Sequence, residues 1–220
     1  EFPKAAVYQD HKQLLKDDRV DAVLIATPTG FHKTIAIEVM RSGRDVLVEK
    51  PLAMNTADCR RMIDVADKTG RLLMVAQCRR YDTDWGTFAK VYRAGKLGKA
   101  VLWRHCMAGN EPPSPWFMDA KIGGGPMIDG AVHDQDFAVM LFGDPTHVVV
   151  SGIKLTKYSA VDTATAIIHY QNGSQLLLSW SWGIAPGDNL HDVLGKKATL
   201  TFPGDNYYLA NQRTHKRTRL

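Results

Sequence analysis

DAVLIATPTGFH, residues 21–32, is the stretch that decides the fold of this chain. It places a short, continuously apolar segment directly before a Thr-Pro turn and the start of a helix-like pattern. A second stretch, GRDVLVEKPLA (43–53), has a comparable apolar segment and turn, and Leu72–Ala76 supplies a third apolar segment. Short apolar strands that alternate with helices are typical of βαβ units, in which both faces of a parallel sheet are covered.

The helices between these strands are predicted from their periodicity and their end signals. We expect a helix over Thr56–Lys68, with Thr56 as its N-cap and Gly70 just beyond its end. The other elements predicted in this part are a strand at Ala5–Tyr8 and helices at Lys12–Lys16 and His32–Met40.

The pattern changes after about residue 78. The segment that begins with Gly123-Gly124-Gly125-Pro126 predicts one helix that runs to about Leu141, with the glycines supplying flexibility at its start. Most later segments read as strands, and Gln171-Asn172-Gly173 between two of them is a hairpin signal. The remaining predictions are a helix at Asp84–Ala94, a Pro- and Gly-rich loop at Ala108–Ile122, and strands at Ala100–Met107, His147–Leu155, Thr163–Tyr170, Ser174–Trp182, His191–Leu194 and Ala198–Phe202. We therefore expect a parallel α/β domain followed by an α+β domain with a mainly antiparallel sheet.

Composition excludes several classes of protein. The chain has 220 residues, of which 45% are apolar and 23% charged, as in ordinary globular domains. No apolar run approaches the ~18 residues of a membrane span, so we expect no membrane partner. The net charge of +5 owes much to the last ten residues, which we interpret as a solvated or frayed end and not as a nucleic-acid-binding tail.

The cysteine pattern indicates a reducing compartment. Cys59, Cys78 and Cys106 lie far apart and form no CxxC motif or zinc-like spacing. An odd, sparse set of cysteines does not suit a secreted disulfide scaffold, so we expect a cytoplasmic protein. An export signal ahead of residue 1 remains open, because Glu1 is not an initiating methionine.

Asp129 and His133 are the first candidates for chemistry. They are four residues apart, so a helix places them on one face, and Asp136 continues that face. A carboxylate beside a histidine orients the ring and raises its basicity, which suits a general base. Two alternatives stay open: a capping acid beside a histidine that satisfies a neighbour, and a metal site of Asp, His and Asp.

Two predicted strand ends provide further candidates. Glu49-Lys50-Pro51 follows the strand DVLV, and Pro51 forces Lys50 into an extended conformation. Ligands bind at the carboxyl ends of parallel strands, where a lysine can polarise a substrate oxygen. Ala26-Thr27-Pro28 ends the preceding strand in the same way. Read alone, each segment also fits an ordinary surface loop. No GxGxxG, GxxxxGK[ST], GxSxG or HExxH motif is present.

In combination these segments resemble the Gfo/Idh/MocA family of glucose–fructose oxidoreductase and inositol dehydrogenase. The resemblance rests on DAVLIATPTGFH (21–32), GRDVLVEKPLA (43–53), RRYD (79–82), GKLGKAVLWR (95–104) and GGGPMIDGAVHDQD (123–136), in that order. It implies a truncated Rossmann-like parallel-sheet domain over residues 1–78, followed by an α+β substrate domain over 79–220 with an open, mainly antiparallel sheet. The glycine fingerprint would precede residue 1, and the family's last strands and closing helix would follow residue 220.

The same resemblance implies an activity and its residues. The family transfers a hydride between NAD or NADP and a sugar, polyol or related cyclic hydroxyl compound. Lys50, Asp129 and His133 match the catalytic residues, and no metal is implied. The implied cofactor-binding residues are Ala26, Thr27, Pro28, His32, Glu49, Lys50 and Arg79, and the implied substrate-binding residues are Asn110, Trp116, Asp129 and His133.

Two other functions remain open at this stage. One is an NAD-dependent, redox-neutral glycosidase of the same family, and the other is a non-enzymatic remnant that serves as a binding module. The resemblance also implies a homo-oligomer joined through the open sheet. Alternation places Leu177, Ser179 and Ser181 on the uncovered face of one strand, with Ile167 and His169 on that face of its neighbour.

Overall fold

The computed structural model describes residues 4–109, 111–185, 189–202 and 207–220. The chain divides into two compact units, Glu1–Ala76 and Gln77–Leu220, here called unit 1 and unit 2. Each unit has its own cluster of buried apolar side chains.

The described part of unit 1 is a three-stranded parallel sheet with helices. The strands lie in the order β1 (Ala22–Ile25), β2 (Asp45–Glu49) and β3 (Leu73–Ala76). The helices are α1 (His11–Leu14), α2 (Thr29–Arg41) and α3 (Thr56–Thr69). The βαβ prediction is therefore confirmed, because β2 lies beside both other strands and each connection contains a helix.

The sheet of unit 1 is covered on one face in the described residues. Helices α2 and α3 pack against the face that carries Ile25, Val46 and Val48. Leu24, Leu47 and Met74 are in register on the opposite face, and Leu24 keeps 65% of its surface exposed. The expectation that both faces are covered is wrong for this part of the chain, because its helices lie on one side.

The ends of α3 show how the sequence positions it. Asn55, not Thr56, is the N-cap, and its side-chain oxygen accepts a hydrogen bond of 2.9 Å from the Asp58 amide. Gly70 closes the helix in the left-handed conformation at φ 64°, as expected. Periodicity alone does not separate two adjacent capping residues. Upstream of α1, Ala5–Tyr8 is not a strand, since no partner pairs with it in the described residues.

Unit 2 contains an open, eight-stranded sheet in its described part. The strand order is β11-β10-β9-β8-β4-β7-β6-β5, and only β4 and β7 pair in parallel. The strands are β4 (Val101–Met107), β5 (Pro145–Ile153), β6 (Thr163–Tyr170), β7 (Gln175–Ser181), β8 (Leu190–Gly195), β9 (Ala198–Thr201), β10 (Tyr208–Asn211) and β11 (Arg217–Arg219). The mainly antiparallel sheet and the hairpin at residues 171–173 are both confirmed.

Helix α4 (Thr83–Arg93) covers the inner face of this sheet together with the helices around residue 130. Phe88 from α4 contacts Trp103 from β4 edge to face, with their ring centroids 5.1 Å apart. Both rings are almost completely buried. Aromatic pairs of this geometry add to the free energy gained from burial, so they anchor the helix on the sheet.

The helix predicted from Pro126 to Leu141 is broken. The structure has α5 (Pro126–Asp129) and α6 (Val132–Phe142), separated by Gly130 and Ala131. The amide of Ala131 bonds to the carbonyl of Pro126, five residues earlier, so the regular spacing is lost at this point. Gly130 and Ala131 both keep right-handed helical torsion angles, so the chain winds in the same sense through the break.

The basic end of the chain is ordered and not frayed. Arg217–Arg219 forms β11, which pairs antiparallel with β10, and the Arg217 guanidinium lies 4.1 Å from the centre of the Tyr208 ring. The cation–π contact and the ladder hydrogen bonds give this charged segment a structure that its composition did not predict.

We expect the Asn55→Ala variant to lower the free energy of unfolding by about 1 kcal/mol, because one amide at the start of α3 loses its partner. Thr56→Ala serves as the matched control and should change it by less than about 0.5 kcal/mol. Urea unfolding measures both variants. Equal costs would contradict the assignment of Asn55 as the cap.

His191 predicts how stability depends on pH. Its burial, followed by the nearby His105 and Arg79, lowers its pKa from 6.5 to about 2. The folded state therefore keeps His191 neutral, and stability that is complete above about pH 6.5 falls as the unfolded chain takes up the proton. The loss is at most about 1.4 kcal/mol per pH unit.

Urea unfolding between about pH 7 and about pH 5 tests this expectation. The His191→Phe variant keeps a ring against Phe202 and should lose less stability over this interval than the wild type. The exposed control His215→Asn should follow the wild type. Identical slopes for wild type and His191→Phe would show that His191 is not the group involved.

Candidate active-site segments

The loops after β1 and β2 form the first group of candidate residues, and His32 joins them. This side chain is 1% exposed and lies in the first turns of α2. Its Nδ1 lies 2.9 Å from the carbonyl oxygen of Pro51, and its Nε2 lies 2.8 Å from that of Thr27. His32 thus contacts a backbone carbonyl of each loop and fixes their separation.

The ends of both strands present polar groups beside this histidine. Ala26 and Thr27 are exposed after β1, whereas Glu49 is exposed and Lys50 half-buried after β2. The Lys50–Pro51 peptide bond is cis, and the Lys50 amide donates to a carboxylate oxygen of Glu49 at 3.1 Å. The sheet therefore brings the predicted residues of unit 1 together at its carboxyl edge, where open α/β sheets bind ligands.

The second group lies in unit 2 and begins with the three consecutive glycines. A Cβ on Gly123 would lie 2.5 Å from the Phe117 backbone, and one on Gly125 would lie 2.5 Å from the carbonyl oxygen of Val161. Gly125 also has φ 84°, which favours glycine. The glycines allow close backbone packing at the start of α5, and the expectation that they supply flexibility is wrong.

Asp129 and His133 stand on either side of the break between α5 and α6. Asp129 is buried at the end of α5, and His133 is half-buried in the first turn of α6. Because Gly130 and Ala131 keep right-handed helical torsions, the two residues remain one helical turn apart. The two residues therefore keep the predicted separation of one helical turn, although not within one continuous helix.

Asp136 has a different role from the one predicted. Its carboxylate accepts two hydrogen bonds from the Arg80 guanidinium, at 2.7 and 2.6 Å, and raises the pKa of Arg80. This ion pair joins α6 to the 3₁₀ helix Cys78–Tyr81. Helical spacing could not predict this ion pair, because Arg80 lies 56 residues from Asp136 in the sequence.

Arg79 belongs to the same 3₁₀ helix. Its Nη1 donates to the Asp82 carboxylate at 2.8 Å, and its guanidinium lies 5.6 Å from the centre of the Trp85 ring. Its side chain remains 45% exposed, so it can still contact a ligand while both neighbours orient it.

The predicted substrate loop is placed only in part. Trp116 lies in the 3₁₀ helix Pro115–Met118 and stacks on Phe117, with ring centroids 3.7 Å apart. The Phe117 carbonyl accepts from the Gly125 amide at 2.9 Å, which ties this loop to the start of α5. Asn110 lies outside the described residues.

A buried polar group that the sequence did not indicate lies directly after His133 in α6. Asp134 has no exposed surface, and its carboxylate bonds to Nδ1 of His105 and to the indole N–H of Trp180. The only sequence signal was an acid directly after the candidate histidine. Its burial depended on β4 and β7, whose positions the sequence did not provide.

The described residues contain neither a cluster of metal-ligating side chains nor a membrane-spanning helix. No group of three or more His, Cys, Asp or Glu side chains is arranged to hold a metal ion in the described ranges. No helix in the same part of the chain is long and apolar enough to cross a membrane.

Comparison with protein families gives two matches, one after the other along the chain. Residues 1–77 match the oxidoreductase family with an NAD-binding Rossmann fold, and residues 85–201 match the GFO/IDH/MocA C-terminal domain.

Two curated relatives are inositol dehydrogenases. Myo-inositol 2-dehydrogenase of Thermotoga maritima is 28% identical over 88% of this chain and 59% of its own length. The scyllo-inositol 2-dehydrogenase (NAD(+)) of Bacillus subtilis is 28% identical over 76% of this chain and 50% of its own length. The chain thus spans between half and three fifths of these relatives.

Solved structures show the same architecture. The WlbA dehydrogenase of Bordetella pertussis, in complex with NADH and UDP-GlcNAcA, is 25% identical with a TM-score of 0.81, over 94% of this chain and 64% of that one. An oxidoreductase of Agrobacterium radiobacter has a TM-score of 0.84 at 21% identity, over 97% of this chain and 64% of that one. The second match supports the fold alone.

Proposed function

The chain belongs to the GFO/IDH/MocA oxidoreductase family, and on this basis we propose that the whole protein is an NAD(P)-dependent dehydrogenase. Its substrate is a sugar, a polyol or a related cyclic hydroxyl compound, the class that includes the substrates of the inositol dehydrogenase relatives. The observation that carries the proposal is the pair of Asp129 and His133 across the α5–α6 break, in a chain that also has Lys50 at the end of β2.

The residues at the carboxyl edge of unit 1 fit a nicotinamide cofactor. Thr27, Glu49 and Lys50 offer a hydroxyl, a carboxylate and an ammonium group on loops that His32 fixes to each other. When bound, the cofactor accepts or supplies a hydride. We infer that Ala26, Thr27, Pro28, Glu49 and Lys50 contact it and that His32 positions the loops from within. The family resemblance adds Arg79 to the cofactor-binding residues.

His133 takes the proton of the hydroxyl group during oxidation and returns it during reduction. Asp129 orients the His133 ring and raises its basicity, as a fixed carboxylate does for an imidazole general base. Lys50 polarises the same oxygen through its positive charge. Trp116, which is tied to the start of α5, faces the substrate, and the family resemblance adds Asn110 to the substrate-binding residues.

We expect Lys50→Ala and His133→Ala, each made in the full-length protein, to lower kcat by roughly 10²–10⁴-fold. Cofactor affinity should change far less, because neither substitution removes a group that binds the phosphates. Nicotinamide absorbance with candidate polyols measures turnover, and a fluorescence titration measures cofactor binding. The exposed control variants Lys68→Ala and His215→Asn should behave as the wild type.

A His133→Ala variant with a kcat within a few-fold of the wild type would move proton transfer to another group, with Lys50 the next candidate. The same assay separates the other functions. Substrate turnover without net formation of reduced nicotinamide indicates the redox-neutral glycosidase, and absence of cofactor binding indicates a binding module.

Assembly and location are also part of the proposal. We propose a homo-oligomer, at least a dimer, joined through the outer face of β5, β6 and β7. Val149, Ile167 and Leu177 lie side by side on this face, and Val149 is 63% exposed. Exposed apolar patches of this kind mark interfaces. Ser181 shares this face, as predicted, but it is buried and its hydroxyl bonds to that of Thr163. A cytoplasmic location agrees with three free cysteines in the chain.

Light scattering on the full-length protein tests the interface. We expect the wild type to have at least the mass of a dimer, and Ile167→Glu to shift it to the monomer, because a buried charge without a partner opposes association. The matched control Ile63→Glu replaces an exposed isoleucine of α3 and should leave the mass unchanged. A monomeric wild type at tens of micromolar would refute the interface.

A further inference from the structure

The group formed by His105, Asp134 and Trp180, here called the Asp134 cluster, has no role in the chemistry described above. Asp134 follows His133 directly and is completely buried in α6. Its carboxylate accepts a hydrogen bond from the Trp180 indole N–H at 3.1 Å and bonds to Nδ1 of His105. The two partners stand on β7 and β4, the parallel pair at the centre of the sheet.

Trp180 also contacts the break between α5 and α6. A Cβ placed on Gly130 would lie 2.7 Å from a carbon of the Trp180 ring, so the ring packs directly against the glycine. The same indole therefore supports Gly130 with its ring and binds Asp134 with its N–H group. The segment between these two contacts contains His133, and Asp129 precedes Gly130 directly.

The surroundings of the cluster are aromatic and mostly buried. The His105 ring lies 4.3 Å from that of His191 and 6.2 Å from that of Trp103, measured between centroids. A carboxylate out of contact with water needs its hydrogen-bond partners, because the interior offers no replacement for them. The position of α6 over β4 and β7 is therefore strongly specified at this point.

We propose that the Asp134 cluster is a positioning device that holds residues 129–133 in the geometry needed for proton transfer. This inference rests on the proposed roles of Asp129 and His133. None of its three members touches the reacting atoms; they act through the helix break that they support from the sheet side. Misplacing a catalytic group by about 1 Å costs roughly 10²-fold in rate, which sets the size of the expected effect.

Four variants of the full-length protein test the proposal. Asp134→Asn removes the charge and keeps the shape, whereas Trp180→Phe removes the N–H and keeps a ring against Gly130. His105→Ala removes the third member, and His105→Asn restores a donor near the position of Nδ1. We expect Asp134→Asn, Trp180→Phe and His105→Ala each to lower kcat by roughly 10²-fold, with KM changed only a few-fold. The kcat of His105→Asn should be at least about tenfold higher than that of His105→Ala.

A control for general destabilisation is available on the other face of the sheet. Asp192 is also nearly buried, and its carboxylate accepts from Nε of Arg104 at 2.8 Å. Asp192→Asn should lower thermal stability and leave kcat unchanged. All values of kcat are referred to the folded fraction, and if Asp134→Asn does not fold, Trp180→Phe and the two His105 variants decide the question.

Nuclear magnetic resonance provides a readout that does not depend on activity. The Gly130 amide and His133 ring signals should shift in the cluster variants and not in Asp192→Asn. Unchanged kcat together with unchanged signals overturns the proposal. A loss of kcat in Asp192→Asn as large as that in the cluster variants also overturns it. If His133→Ala keeps full activity, the proposed function fails on its own, and the catalytic meaning of the cluster fails with it. In that case the shifted signals would show only that the Asp134 cluster supports the structure of residues 129–133.

Discussion

Unit 2 depends on the burial of one carboxylate. Removing the charge of Asp134 from water is costly, and the cost is offset only when both of its partners are in place. A helix packed by apolar contacts alone can slide or rotate by small amounts at little cost. A buried charge that requires an indole N–H and an imidazole from two different strands removes that freedom. The aromatic core stabilises the packing of the helix on the sheet, and the polar contact fixes the position of the helix.

Unit 1 solves a related problem with one buried histidine. Its two ligand-side loops follow different strands, whose register pairs end at Ile25 and Val48, before the loops begin. His32 joins them instead, by contacts from one ring to two carbonyl oxygens. Because the ring is rigid, the separation of the loops is set by the imidazole itself. In both units a buried side chain fixes the position of a backbone segment, and that segment carries the candidate site residues.

The sequence predicted the order and type of most elements, because alternation of apolar residues is a local signal. Thr163–Tyr170 was predicted with its observed bounds. Errors arose where long-range packing decides the outcome. The break at Gly130 packs against a tryptophan 50 residues later, and the pairing of Asp136 with Arg80 joins distant segments. Lys50, Asp129 and His133 were candidates from local spacing and strand ends, and the family resemblance implied their catalytic roles. Asp134 was missed because burial is a property of the folded chain.

The two edges of the large sheet differ in a way that bears on solubility. A bare edge strand is a template on which another chain can add a strand. At one edge, β11 carries Arg217 and Arg219, so a second copy aligned against it would place like charges next to each other. At the other edge, β5 begins with Pro145 and has an irregularity before His147. These two edges of the described sheet therefore carry features that oppose the addition of a further strand from a second copy.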